Sequence, residues 1–415
     1  MTTVPPHVGS GASRTGPLAD AVVDRVARRL VTEGAGGAPV SPAALARALR
    51  RELPGVVGDA ELAHLIKVMR TELVGAGPVA ELLADPETTD VVINGPDQVL
   101  VDRGAGWEDS GIRLADDAAV QRLARRLAVA AGRRLDDAHP WVDARMADGT
   151  RVHAVLAPVA VSGTCLSLRV LRPVRHDLAA LQQRGFLPGV GLTLLRAVLQ
   201  ARLATLVSGG TGSGKTTLLG ALIGALPPGE RIVVVEDAEE LRPPHPHVVR
   251  LVARPANVEG AGAVTLRDLV RQALRMRPDR LIVGEVRGGE VVELLAALNT
   301  GHDGGAGTVH ANTAADVPDR VEALAIPAGL SRAACQAQLA AAVQVVLHVR
   351  RSAGHRWLAE IAVLARDGSG RVVVESAARD GVPGGPGWPR LVELLTDRGV
   401  EVPAVGVDRV DGGRR

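Results

Sequence analysis

At 415 residues the chain is long enough for two or three domains of about 150 residues each. Its hydrophobic fraction of 46% can fill real cores, but with one Phe, four Trp and no Tyr those cores must be aliphatic, and single-stranded nucleic-acid binding by aromatic stacking is disfavoured. A net charge of +2 offers no global basic field to DNA, and two distant cysteines, Cys165 and Cys335, make neither a C-x-x-C metal pair nor a disulfide framework, which fits a reducing cytoplasm. No apolar run approaches the roughly 20 residues that cross a bilayer. The N-terminus has neither the basic nor the apolar region of a signal peptide, so none is expected.

In chain order, residues 1–17 are rich in Gly, Pro, Ser and Thr and are expected to be disordered. Residues 18–77 are expected to form a helical extension. Val22, Val23, Val26, Leu30 and Val31 recur at helical spacing, Ser41-Pro42 supplies a cap and a first-turn proline, and 59–73 reads as a third helix. Residues 78–170 read as a smaller α+β domain. It has a short helix at 79–83, strands at 90–94 and 98–102 joined by a Gly-Pro-Asp turn, a helix at 117–131, and strands at 151–157 and 165–170. Its many arginines, Arg145, Arg151 and Arg169 among them, form either a solvated basic face or a surface that reaches an anion. The proline-containing stretch 171–190 reads as a linker.

Residues 191–375 alternate strands with helices, which implies a parallel central sheet. Here Gly209 to Thr216 reads GGTGSGKT and fits G-x-x-x-x-G-K-[ST] at every fixed position. The apolar run before it reads as a strand and Thr217 to Leu226 as a helix, the order a phosphate loop requires. The backbone N–H groups of Gly209, Gly210, Thr211, Gly212, Ser213 and Gly214 can turn inward around phosphate oxygens. Lys215 can reach the β- and γ-phosphates, the Thr216 hydroxyl can sit on Mg²⁺, and Thr217 opens the helix that faces the phosphates. Later strands are expected at 231–236, 248–252, 280–285 and 307–310. A helix at 265–276 begins with Thr265…Asp268 in capping-box spacing. The segments 344–349, 356–364 and 371–375 suggest antiparallel strands at the sheet edge, and residues 376–415, rich in Gly and Pro, a flexible tail.

Acids at the C-terminal ends of parallel strands lie where ligands bind. Glu285 ends one such strand, and Glu236 with Asp237 ends another. Either acid can serve as the general base, and Glu285 can also hold Mg²⁺, directly or through water. His310, in the glycine-rich run 301–313, is either structural or a γ-phosphate contact.

The order of the phosphate loop, the Glu236-Asp237 acidic pair, the segment Arg275-Met-Arg-Pro-Asp-Arg-Leu-Ile-Val-Gly-Glu-Val-Arg-Gly-Gly-Glu290 and the histidine-bearing run 299–313 resembles the type II/IV secretion ATPases. Within them it is most similar to the TadA/CpaF branch, and the missing four-cysteine zinc element agrees. The resemblance covers about residues 75–365. It implies a RecA-like P-loop domain preceded by the smaller α+β domain, and a homo-hexameric, cytoplasmic ATPase, peripheral at the inner face of the membrane. Such an ATPase uses ATP and Mg²⁺ to drive pilus assembly or secretion through an inner-membrane platform protein; the near-neutral charge and scarce aromatics give no expectation of direct nucleic-acid binding. It also implies that Glu285 activates water, that Glu236 is the acidic-box residue, and that His302 and His310 belong to a histidine box. Arg145 and Arg151, within Val142-Asp-Ala-Arg-Met-Ala-Asp-Gly-Thr-Arg151, are implied to reach nucleotide. Two rival readings are a DNA-translocating RecA-class motor and a nucleotide-gated scaffold without turnover. Neutral net charge and scarce aromatics oppose the first, and the intact Lys215, Glu236 and Glu285 oppose the second.

Overall fold

The computed structural model describes residues 75–170, 177–254, 260–352 and 354–402, with Ala256 and residues 47 and 49–51. The expectations for residues 1–17, for most of the helical extension and for the chain beyond 402 lie outside the described residues. Two compact units divide the chain, residues 1–171 and 172–415.

In the first unit, α1 (Ala80–Ala84) precedes β1 (Asp90–Asn94), β2 (Val99–Asp102) and β3 (Trp107–Asp109). Then come α2 (Asp117–Ala130), β4 (Trp141–Arg145), β5 (Arg151–Val155) and β6 (Cys165–Arg169). The strands form one antiparallel sheet in the order β3-β2-β1-β6-β5-β4. Alternation along β1 turns Val91 and Ile93 inward, and β6 does the same with Leu166 and Leu168. Val120, Leu123, Ala124 and Leu127 of α2 share one helical face and close this aliphatic core. The Asp116 side chain accepts from the Ala119 N–H at 2.7 Å and caps the helix.

The second unit begins with α3 (Leu178–Gln183), α4 (Gly191–Gln200), β7 (Thr205–Gly209), α5 (Lys215–Gly224), β8 (Ile232–Glu236) and β9 (Val248–Val252). It continues through α6 (Leu266–Ala273), β10 (Arg280–Val286), α7 (Glu290–Leu298), β11 (Ala306–Val309), α8 (Val317–Ala325) and α9 (Arg332–Ala342). It ends with β12 (Val345–Ser352), β13 (His355–Arg366), β14 (Val372–Arg379), β15 (Val382–Pro383) and α10 (Trp388–Asp397).

These strands form one mixed sheet in the order β15-β14-β13-β12-β7-β11-β10-β8-β9. From β12 to β9 every pairing is parallel. Successive residues of the buried strands feed opposite faces. Leu206, Val233, Leu281 and Val283 pack under α6, α7, α8 and α9. Val207 packs with α4 and α10, and Val234 and Ile282 pack with α5 residues Leu219 and Ile223. Burial on both faces explains why these strands read as continuous apolar runs rather than as alternation. The capping box of α6 is present as the sequence predicts, with reciprocal Thr265 and Asp268 hydrogen bonds.

Three expectations are corrected. β12 is not part of a wholly antiparallel edge, because it pairs parallel with β7 and only its other side meets antiparallel β13. The linker expected at 171–190 contains α3, capped by Asp177, with Leu178, Leu181, Phe186 and Leu187 buried in the second core. Residues 376–402, expected as flexible tail, are folded. Pro389 sits in the first turn of α10, and Leu391 and Leu395 are fully buried against the sheet. The glycines that suggested disorder are turn residues: Gly381, Gly384 and Gly385 all adopt positive φ.

Candidate active site

The C-terminal ends of β7, β8, β10 and β11 lie side by side and carry Gly209, Glu236, Glu285 and, one residue past β11, His310. The loop from β7 to α5 needs its glycines for two separate reasons. Gly209 has φ of 149°, and a Cβ there would strike the Val349 carbonyl of β12. Gly214, the N-cap of α5, has φ of 102°, and a Cβ there would lie 2.9 Å from the Phe186 ring. Ser213 Oγ donates to the Gly210 carbonyl at 2.8 Å and fastens the loop on itself. No acid occupies the first turn of α5, so its helix dipole and unbonded N–H groups favour an anion at this end. Thr216 and Thr217 stand in that turn.

Lys215, one of only two lysines in the chain, is 7% exposed. Its ammonium donates to the Gly209 and Gly210 carbonyls at 3.0 and 2.9 Å and lies 3.4 Å from His310 Nδ1. Burial pulls its pKa down, opposed by the charges of Glu285 and Glu240.

Glu285 is the centre of a charge network. His310 Nε2 lies 2.5 Å from its Oε1, and the Arg287 guanidinium bonds its Oε2 and reaches Asp237 Oδ2 at 3.0 Å. Burial pushes the Glu285 carboxyl up, but the Arg287 hydrogen bond and the charges of Arg287 and Lys215 oppose it, and the group is held below its usual range. Burial and the Lys215 charge lower the pKa of His310. The neutral tautomer that suits both neighbours carries its proton on Nε2, toward Glu285, and turns Nδ1 to the lysine as an acceptor.

The acids that follow β8 divide into two environments. Glu236 is 3% exposed and turned into its own loop, where Oε1 accepts from the Glu240 and Leu241 N–H groups at 3.0 and 2.9 Å. Burial pushes its pKa up to about 7. Its methylene packs on Gly284, where a Cβ would lie 2.7 Å from Glu236 Cγ. The loop so folded presents Glu240, whose Oε2 lies 3.5 Å from Thr216 Oγ1. Sequence reasoning missed Glu240. It lies three residues after Asp237, past the strand end that marks the other acids in the sequence.

A second group missed in the sequence lies beneath the loop. Ser208 and His348 are register partners on β7 and β12, and Ser208 Oγ lies 2.9 Å from His348 Nδ1. Both are buried, and the imidazole also hydrogen-bonds the backbone of Asn312, two residues past His310. His348 therefore ties the root of the phosphate loop to the loop that carries His310. His348→Ala should lower the unfolding free energy by about 1–3 kcal/mol, because it leaves a buried hydroxyl without its partner. An unchanged denaturation midpoint would show that the tie holds nothing.

The remaining predicted residues lie elsewhere. His302 precedes β11, at the far end of that strand from His310, and its Nδ1 lies 3.2 Å from the Ala297 carbonyl in the last turn of α7. Arg145 and Arg151 belong to the first unit, directly opposite each other on β4 and β5. Arg151 Nη2 lies 3.7 Å from Asp143 Oδ2, and Arg169 Nε 3.4 Å from Asp90 Oδ1. Arg280, at the start of β10, is 1% exposed and bonds Glu230 and the Gly304 and Leu199 carbonyls, so the arginine-rich segment before Glu285 also ties the opposite edge of the sheet together.

Residues 72–366 match the family described as type II/IV secretion system protein. A putative conjugal transfer protein of Mycobacterium tuberculosis is 61% identical over 324 residues, covering 76% of this chain and 92% of that protein. The type IV secretion system protein PtlH of Bordetella pertussis is 34% identical over 331 residues, covering 72% and 93%. Among solved structures, the VirB11 ATPase of the Brucella suis type IV secretion system, in complex with sulphate, matches at 27% identity. It covers 68% of this chain and 94% of that one, with a TM-score of 0.37. With the family matched across most of its length and a phosphate loop facing an acid and a histidine, the chain belongs to the type II/IV secretion system protein family as one of its ATPases.

Proposed function

We propose that this ATPase is a RecA-like ring motor that turns Mg²⁺-dependent ATP hydrolysis into work on an inner-membrane platform, in pilus assembly or in secretion of protein or DNA. The reading is carried by the convergence of Lys215, Glu285 and His310 at the C-terminal edge of one parallel sheet. The relatives, a conjugal transfer protein and a type IV secretion system protein, supply the transport setting. The motif order and the missing four-cysteine zinc element support the TadA/CpaF branch within that family. No described helix is long and apolar enough to cross a membrane, so the platform is a separate protein in this scheme.

The residues have distinct tasks. The glycine loop and the α5 N-terminus bind the phosphates through backbone N–H groups. Lys215 exchanges its bonds to the loop carbonyls for bonds to phosphate oxygens. Glu285, ionised at neutral pH, orients and deprotonates the attacking water, and His310 Nε2 holds that carboxylate in place. The site suits Mg²⁺: Thr216 and Glu240 bring hard oxygen donors together, while no described cluster of three or more His, Cys, Asp and Glu forms a self-sufficient cage. Thr216 and Glu240, with Glu285 through water, would hold an ion that arrives with the nucleotide and neutralises its charge. Purified protein should release phosphate from ATP in Mg²⁺ buffer, with no stimulation by added DNA. Absence of turnover would favour the nucleotide-gated scaffold instead.

The ring reading assigns Arg145 or Arg151 to the nucleotide of a neighbouring subunit, where an arriving arginine is worth about 10³-fold or more in other phosphoryl-transfer systems. Protomers carrying Lys215→Ala and protomers carrying Arg151→Ala should each be inactive. Mixed rings should recover part of the activity, because some sites then pair an intact loop with an intact arginine. No recovery on mixing would place the arginine's action within its own chain. A protein that sediments as a monomer with ATP would remove the ring.

A further inference from the structure

The β12–β13 hairpin ends beside the phosphate loop. β12 runs parallel to β7 as far as the pairing of Val349 with Gly209, and residues 350–352 continue past it. At the tip, Arg351 pairs across the strands with Arg356. Like charges placed opposite each other destabilise a hairpin. Among the described residues no carboxylate pairs with Arg351, which is exposed. Both arginines lie against the loop. A Cβ on Gly212 would be 3.2 Å from Arg351 Nη1, and one on Gly214 would be 3.8 Å from Arg356 Cδ. The tip is anchored by its other residues. The Arg350 guanidinium sits 5.8 Å over the Trp357 ring, Trp357 stacks on His355, and its Nε1 donates to Asp380 at 2.8 Å.

An exposed guanidinium with no described carboxylate partner, held beside Gly212 of the phosphate loop by an anchored hairpin, is placed to meet an anion bound by that loop. We propose that Arg351, seconded by Arg356, contacts the polyphosphate of the nucleotide held by residues 209–216. The hairpin thus adds a cation clamp to the site, separate from Lys215 and supplied by the same unit of the same chain. A guanidinium suits this task because its planar donors match phosphate oxygens in pairs. The proposal rests on the assignment of 209–216 as the nucleotide site, so the test keeps the two apart.

Calorimetric titration of the full chain with ADP, and separately with inorganic tripolyphosphate, provides it, using wild type, Arg351→Ala and Arg351→Lys. Arg351→Ala should weaken both ligands by about 10-fold or more, the loss of one charge-assisted contact. Arg351→Lys, which keeps the charge without the fork, should fall between the two. Without ligand, Arg351→Ala should melt at about the wild-type temperature, because Arg351 is exposed and no described carboxylate pairs with it; the lost affinity is then not lost fold. Wild-type affinity for both ligands in Arg351→Ala would overturn the clamp and leave the phosphate loop standing. A loss confined to ADP would also overturn it, since the arginine would then touch base or ribose. Wild-type protein that binds neither ligand would remove the nucleotide site and the clamp together.

Discussion

Lys215→Ala is expected to show no ATP turnover above background in a phosphate-release assay, while keeping the wild-type circular dichroism spectrum. The ammonium sits on the Gly209 and Gly210 carbonyls and beside His310, where a transferring phosphoryl group would be met by a full positive charge. Preorganised charge at the developing transition state is the main source of catalysis in phosphoryl transfer. The fold should survive, because the truncation removes a buried charge whose bonds are to loop carbonyls rather than to a buried carboxylate. Turnover at the wild-type rate in a folded variant would sink the phosphate-loop assignment.

Glu285→Gln should bind ATP close to wild type and reduce kcat by about 10²-fold or more. The amide keeps the size and one accepting oxygen, enough for the Arg287 hydrogen bond but not for a second donor at the other position, and it cannot take a proton from water. The sign of the pH dependence follows from the surroundings. Arg287 and Lys215 hold Glu285 below the usual carboxylate range, so the wild-type rate should stay flat through neutral pH and fall only in acid, as the base becomes protonated. Unchanged turnover in Glu285→Gln would pass the water-activating role to the acids after β8. There Glu240 faces Thr216, whereas Glu236 is folded into its own loop.

Most of the candidate site is legible in the sequence because its residues follow local rules. The phosphate loop is contiguous, Glu285 ends an apolar run, and the Thr265 capping box lies within four residues. What escaped was set by contacts distant in sequence. His348 lies 140 positions from Ser208, and only the register of β12 on β7 brings them together. Glu236 and Glu240 look alike as letters, and burial over Gly284 separates their roles. The C-terminal region misled through its composition: its glycines suggested a tail, yet they turn the chain so that Leu391 and Leu395 reach the core. β4, with its exposed Trp141 and alternating polar residues, lacked the apolar density that marked its neighbours.

The placement of Lys215 has a chemical consequence beyond catalysis. Nearly every cation in this chain is an arginine, which amine-directed reagents leave alone. Lys215 and Lys67 are the only side-chain amines it has. Burial lowers the Lys215 pKa and so raises its share of free, nucleophilic amine. Acylation or reductive methylation of this protein therefore has only two side-chain targets, one of them in the glycine-rich loop. On the proposed function, one modification at Lys215 would remove the phosphate grip, and nucleotide added first should protect that amine.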